Sequence, residues 1–122
     1  MRIPNVTGKI IKHIAFEEFT DSLGIEFTDG SHLHIENESH HNLEDRYIRC
    51  SDNLQSFIGA TILCIAERDG PSERPTVSDY HDTKFVHIVT NGGTIVLHCH
   101  NEHNGPPTVG FKINCRLVDI KH

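Results

Sequence analysis

The chain has 122 residues, a mass of 13.8 kDa and a formal net charge of -6, which suits one domain, residues 1–122, around one hydrophobic core. Only 11 Lys and Arg are present and they form no basic run, which argues against a protein built to ride on nucleic-acid backbones. The longest apolar stretch, residues 57–66 (FIGATILCIA), is far below the roughly 20 residues of a membrane-spanning helix. The amino-terminal MRIPNVTGKI has no apolar signal core, so a cytoplasmic protein is expected.

Residues 8–17 (GKIIKHIAFE) are rich in β-branched and aromatic side chains and predict a strand that ends before the polar cluster Thr20-Asp21-Ser22. Leu23, Ile25 and Phe27 then alternate with Gly24, Glu26 and Thr28. Asp29-Gly30 supplies the residues of a tight type I′ turn, and Leu33 and Ile35 continue the alternation, so a hairpin is expected here. Residues 37–45 (NESHHNLED) are polar and predict a loop, after which Tyr47-Ile48-Arg49-Cys50 becomes extended again. Residues 51–59 predict a short helix, with Ser51 or Asp52 as its cap and Gly59 as its end.

Residues 60–67 (ATILCIAE) return to a strand pattern, and residues 68–82, with Gly70, Pro71 and Pro75, predict the one long irregular connection. A second hairpin is expected over residues 85–99 around Asn91-Gly92-Gly93, followed by a loop over residues 100–108 and a last strand over residues 109–117. The fold expectation is therefore α+β and mainly antiparallel β, with about seven strands in hairpins and one short helix near residues 52–58. Cys50, Cys64, Cys99 and Cys115 form no CxxC pair, and reduced thiols are expected.

Eleven histidines stand out by their clustering, as His32-x-His34, His40-His41 and His98-x-His100-x-x-His103. Positions i and i+2 of a strand share a face, so an HxH pair can offer two imidazoles to one ion. His98, His100 and His103 would complete a three-ligand zinc or other divalent-metal site if the chain turns after residue 100, with Glu102 as base. The competing reading makes these histidines ordinary surface residues. No nucleophile elbow and no phosphate-cradling glycine loop occurs, so no catalytic residue and no cofactor is assigned. Arg46, Arg49 and Arg116 could meet phosphate oxygens bidentately despite the net negative charge. The segment Asn101-Glu102-His103-Asn104-Gly105-Pro106-Pro107 forms a polar connection, stiffened by proline, that could read a small ligand.

The order Gly8-Lys9-x-Ile11, Phe27-x-Asp29-Gly30, Glu44-Asp45-x-Tyr47-Ile48, Leu54-x-x-x-Ile58-Gly59-x-x-Ile62, Thr90-x-x-Gly93-x-Ile95 and Asn104-Gly105 resembles a group of small proteins of tailed bacteriophages and prophages. Members of that group carry Cys-Cys-Glu where this chain has Asn42-Leu43-Glu44, and an aromatic pair where it has Pro106-Pro107. The resemblance implies a non-enzymatic protein that captures a small ligand. By analogy with phage counter-defence proteins of this size, the ligand is a nucleotide immune signal held in a homo-oligomer. The candidate contacts for such a ligand are Tyr47 and Phe85 for stacking, and Arg46, Arg49, Asn104 and Arg116 for phosphate. Two other classes remain open, a His-rich metal-binding protein or enzyme and a module that binds a host protein through a sheet edge.

Overall fold

The computed structural model describes residues 2–17, 21–37, 44–73, 79–104 and 113–119, and for 44–46, 71–73, 79, 80, 103 and 104 the backbone course alone. Eight strands are formed among the described residues: β1 (Ile11–Glu17), β2 (Ser22–Phe27), β3 (His32–Asn37), β4 (Glu44–Arg49), β5 (Ile62–Glu73), β6 (Asp79–Thr90), β7 (Gly93–Asn104) and β8 (Ile113–Val118). They make two antiparallel four-stranded sheets, in the orders β1-β2-β3-β8 and β4-β7-β6-β5. No described helix is long and apolar enough to cross a membrane.

Alternation drives this arrangement. Leu23, Ile25 and Phe27 on β2 and Leu33 and Ile35 on β3 are buried, while their chain neighbours stay partly open to solvent. The second sheet answers with Ile48, Val86, Ile88, Ile95, Leu97 and Cys99, and all of these belong to one hydrophobic cluster drawn from both sheets. Each buried aliphatic or aromatic side chain in such a cluster contributes about 1.5–3 kcal/mol, so the shared interior holds the two sheets face to face. Residues 8–10 and 61–62 join the sheets at one margin, where the Gly8 N–H donates to the Ile62 carbonyl and the Ile62 N–H to the Lys9 carbonyl, both at 2.9 Å.

Several expectations need correction. The β2–β3 turn is not type I′, because Asp29 lacks the positive φ that type requires at both central residues. Instead the Phe27 carbonyl accepts from the Gly30 N–H at 3.0 Å, the Phe27 N–H donates to the Ser31 carbonyl at 2.9 Å, and Gly30 takes φ +91. This is a three-residue loop with a left-handed glycine closing it. The Asp29 carboxylate accepts from the Ser31 N–H and pairs with Lys9. Those bonds, Lys9 first, hold its carboxyl well below the usual range.

The expected helix near residues 52–58 is only a 3-10 turn, Leu54–Phe57, and its N-cap residue Asn53 makes no side-chain cap. Asp52 is committed elsewhere: its carboxylate accepts the Val96 N–H at 2.8 Å. β4 stops at Arg49, opposite His98, so Val96 lies past the end of the ladder and Asp52 supplies the acceptor that the missing strand would have given. Of the stretch 68–82 expected to be irregular, residues 68–73 and 79–82 are strand, and residues 74–78 lie outside the described residues. β5 runs on to Glu73 and β6 begins at Asp79, extending one hairpin well past the core, with a bulge between Asp69 and Ser72. β7 likewise continues to Asn104, so residues 100–104 of the expected loop are strand, and Gly105, Pro106 and Pro107 lie outside the described residues, as do His40 and His41.

Candidate functional site

Long β6 and β7 make the site possible, because their outward positions are filled by rings. Odd positions of β7 point into the core, so His98, His100 and Glu102 point outward. Cross-strand register then decides their company. Tyr47 and Thr83 flank His100, Arg49 and Phe85 flank His98, and His81 lies opposite Glu102. Tyr47 and His100 stack with ring centroids 4.8 Å apart and planes 19° apart. Phe85 meets His98 edge-on at 5.2 Å and His87 edge-on at 6.4 Å. Such aromatic pairs contribute about 0.5–1.5 kcal/mol beyond the area they bury.

Phe85 is seated by an absence. A methyl group added at Gly70 would lie 2.8 Å from its ring and 3.1 Å from Thr83, so only glycine leaves room for the ring over the bulged end of β5. Arg49 holds its guanidinium 4.7 Å from the centre of the Tyr47 ring. One of its nitrogens donates to Asp21 at 3.0 Å and to the Ile48 carbonyl at 2.9 Å, which fixes the charge over the Tyr47 ring.

Beside this ring surface opens a cleft of about 410 Å³, lined by Phe16, Arg49, Cys50, Ser51, His98 and His100. Its lining combines one apolar ring, one guanidinium and two imidazoles. His81 Nε2 lies 2.9 Å from His100 Nδ1, and His81 Nδ1 lies 3.9 Å from Glu102 Oε1. Burial, followed by the neighbouring His81 and His98, pushes the His100 imidazole below its ordinary pKa, so the ring is neutral near pH 7. Burial raises the Cys50 thiol, and it pushes Cys99 up to about 12 and Cys115 up to about 11. These groups stay protonated, and all four cysteines are free.

Of the residues singled out in the sequence, Tyr47, Arg49, Phe85, His98 and His100 come together on this one face. Arg116 does not join them. It lies on β8 in the other sheet, opposite His34, with Glu36 at 3.9 Å. Arg46 and Asn104 are placed by backbone alone, Arg46 opposite Asn101 and Asn104 opposite Asp79. The turn after residue 100 that a His98-His100-His103 metal set requires does not occur, because His103 continues the strand opposite Glu44 and Tyr80. Among the described residues no group of three or more His, Cys, Asp or Glu side chains is placed to hold a metal ion.

His81 was missed in the sequence, since it falls in the stretch expected to be irregular. The signal that could have found it is the outward alternation His81-x-Thr83-x-Phe85-x-His87, continuous with the strand that follows. Comparison with family models, with curated proteins and with solved structures finds no match to this chain.

Proposed function

We propose that the protein binds a small, planar, anionic ligand of the nucleotide class on the outward face of the β4-β7-β6-β5 sheet. The observation that carries this reading is the Tyr47–His100 stack with the Arg49 guanidinium held over the Tyr47 ring, beside a cleft of about 410 Å³. A nucleobase gains from a ring face, and a phosphate from a guanidinium and from imidazole N–H groups. In a protein of the phage type that the sequence resembles, such binding would withdraw a nucleotide immune signal from its receptor, and a homo-oligomer would multiply the sites.

Calorimetric titration with a panel of linear and cyclic nucleotides tests the proposal. Binding by at least one of them, weakened when Tyr47 is replaced by alanine, is the expected result. Silence across the panel removes the nucleotide assignment, and light scattering in the same buffer reads the oligomeric state.

A further inference from the structure

The order Glu102, His81, His100 is more than a binding surface needs. With Nδ1 of His100 directed at Nε2 of His81, and Nδ1 of His81 facing Glu102, one tautomeric assignment satisfies the row. His100 donates from Nδ1, His81 accepts at Nε2 and directs its own Nδ1–H toward the carboxylate. The lone pair left over is Nε2 of His100, on a ring that lines the cleft. An imidazole held by an oriented partner, itself oriented by a carboxylate, is the arrangement of a positioned general base.

A second imidazole stands beside it. His98 projects from the same face of β7, lines the same cleft, and is braced by Phe85 at 5.2 Å. Arg49 faces it across the β4–β7 ladder. Two imidazoles and a guanidinium around one cleft are the groups that phosphoryl transfer to a neighbouring hydroxyl requires. One ring takes a proton, the other returns one, and the cation faces the charge that builds on the phosphoryl oxygens.

We propose that the cleft cleaves ribonucleoside phosphodiesters by transfer to the adjacent 2′-hydroxyl, with His100 as base, His98 as acid, Arg49 opposite the phosphoryl oxygens, and His81 and Glu102 as positioning residues. The proposal rests on the nucleotide-binding reading and adds a reaction to it. His100 Nε2 takes the 2′-hydroxyl proton as the 2′-oxygen forms a bond to phosphorus. The bond from phosphorus to the 5′-oxygen breaks, and that oxygen takes a proton from the His98 imidazolium. The products are a 2′,3′-cyclic phosphate and a free 5′-hydroxyl, with no water consumed and no redox change, and return of the proton from His100 to His98 through solvent resets the site.

The test uses the full chain, the ribodinucleotide UpA and its counterpart dUpA, which lacks the nucleophilic hydroxyl. Chromatography should show uridine 2′,3′-cyclic phosphate and adenosine from UpA and nothing from dUpA. His100→Gln and His98→Gln, purified by the same steps, should each lose at least about 100-fold in rate, while His34→Gln on the other sheet keeps the full rate. His81→Gln should lower kcat with little change in KM, the mark of a positioning role. Equal cleavage by the parent protein, His98→Gln and His100→Gln would identify a contaminating nuclease and overturn the proposal. Calorimetric binding of dUpA without cleavage of UpA would overturn the reaction and leave the binding reading intact. Absence of UpA cleavage overturns the reaction whatever binds, and silence across the nucleotide panel overturns the binding reading as well.

Discussion

The molecule carries the same two-histidine pattern twice, once on each sheet, and the two copies differ in everything around them. On β3, His32 and His34 are separated by 6.5 Å between ring centroids. Their cross-strand neighbours are Glu26, Gly24, Arg116 and Val118, with Lys12–Glu26 and Arg116–Glu36 ion pairs close by. On β7, His98 and His100 are flanked by Tyr47, Arg49, Thr83 and Phe85, and His81 reaches His100. A strand face offers two imidazoles in either case, but only cross-strand register supplies rings, a guanidinium and an orienting partner. The lesson is that an HxH motif is half a site, and the neighbouring strands hold the other half.

That contrast can be broken in four places. The largest effect is expected from Gly70→Ala, because the added methyl enters the space of the Phe85 ring. A loss of about 1–3 kcal/mol in stability is expected by denaturant unfolding, together with altered His98 ring resonances, since Phe85 packs on His98. A change below about 0.5 kcal/mol would mean that the ring does not depend on this glycine. Next, Tyr47→Ala should weaken binding of the best nucleotide by about 1–3 kcal/mol, whereas His32→Ala on the other sheet should leave it within about 0.5 kcal/mol. Equal losses would erase the distinction between the two faces.

A third test uses protons. The folded pKa of His100 lies below the ordinary imidazole value of 6.5, so the folded state resists protonation more than the unfolded one. Its contribution is therefore intact above that value and is lost as pH falls through the lower folded pKa. His100→Gln should flatten that part of the acid limb in pH-dependent unfolding, and His34→Gln serves as the comparison on the other sheet. An unchanged slope in His100→Gln would remove His100 as its source. The smallest effect is expected from Gly24→Tyr. Gly24 occupies beside His34 the register place that Tyr47 holds beside His100, and a Cβ there would meet His34 Nδ1 at 4.0 Å. A gain of about 0.2–1 kcal/mol in thermal or denaturant unfolding is expected from the new cross-strand pair, with no nucleotide affinity created on that face.

Alternation made much of this legible in advance. The hairpins about residues 28–31 and 91–92 follow from period-two patterning in Leu23-x-Ile25-x-Phe27 and Val86-x-Ile88. Tyr47, Arg49, Phe85, His98 and His100 could each be picked out by chemical type. Their meeting could not, because strand order places β7 between β4 and β6, and a single chain's local pattern carries no record of non-consecutive pairing. Arg116 shows the cost: a plausible phosphate ligand by type, it belongs to the opposite sheet. The extended hairpin was hidden for another reason. Residues such as Asp69, Gly70 and Asp82 resemble loop composition, yet polar side chains and a bulge are tolerated on strands that run beyond the core. At Asp52 the local capping signal was real but lost to a long-range partner, the Val96 N–H.

That last bond also bears on how molecules of this chain meet one another. β7 is 12 residues long and β4 only six, so the margin of β7 beyond Arg49 would otherwise offer backbone donors to any extended segment that drifted alongside. At Val96 the Asp52 carboxylate already stands in the place of a neighbour's carbonyl, and its negative charge discourages a second backbone from pairing there. One side chain thus shields the vacant stretch of the ladder against edge-to-edge aggregation while letting the chain leave the sheet at Cys50 and Ser51, two of the residues that line the cleft.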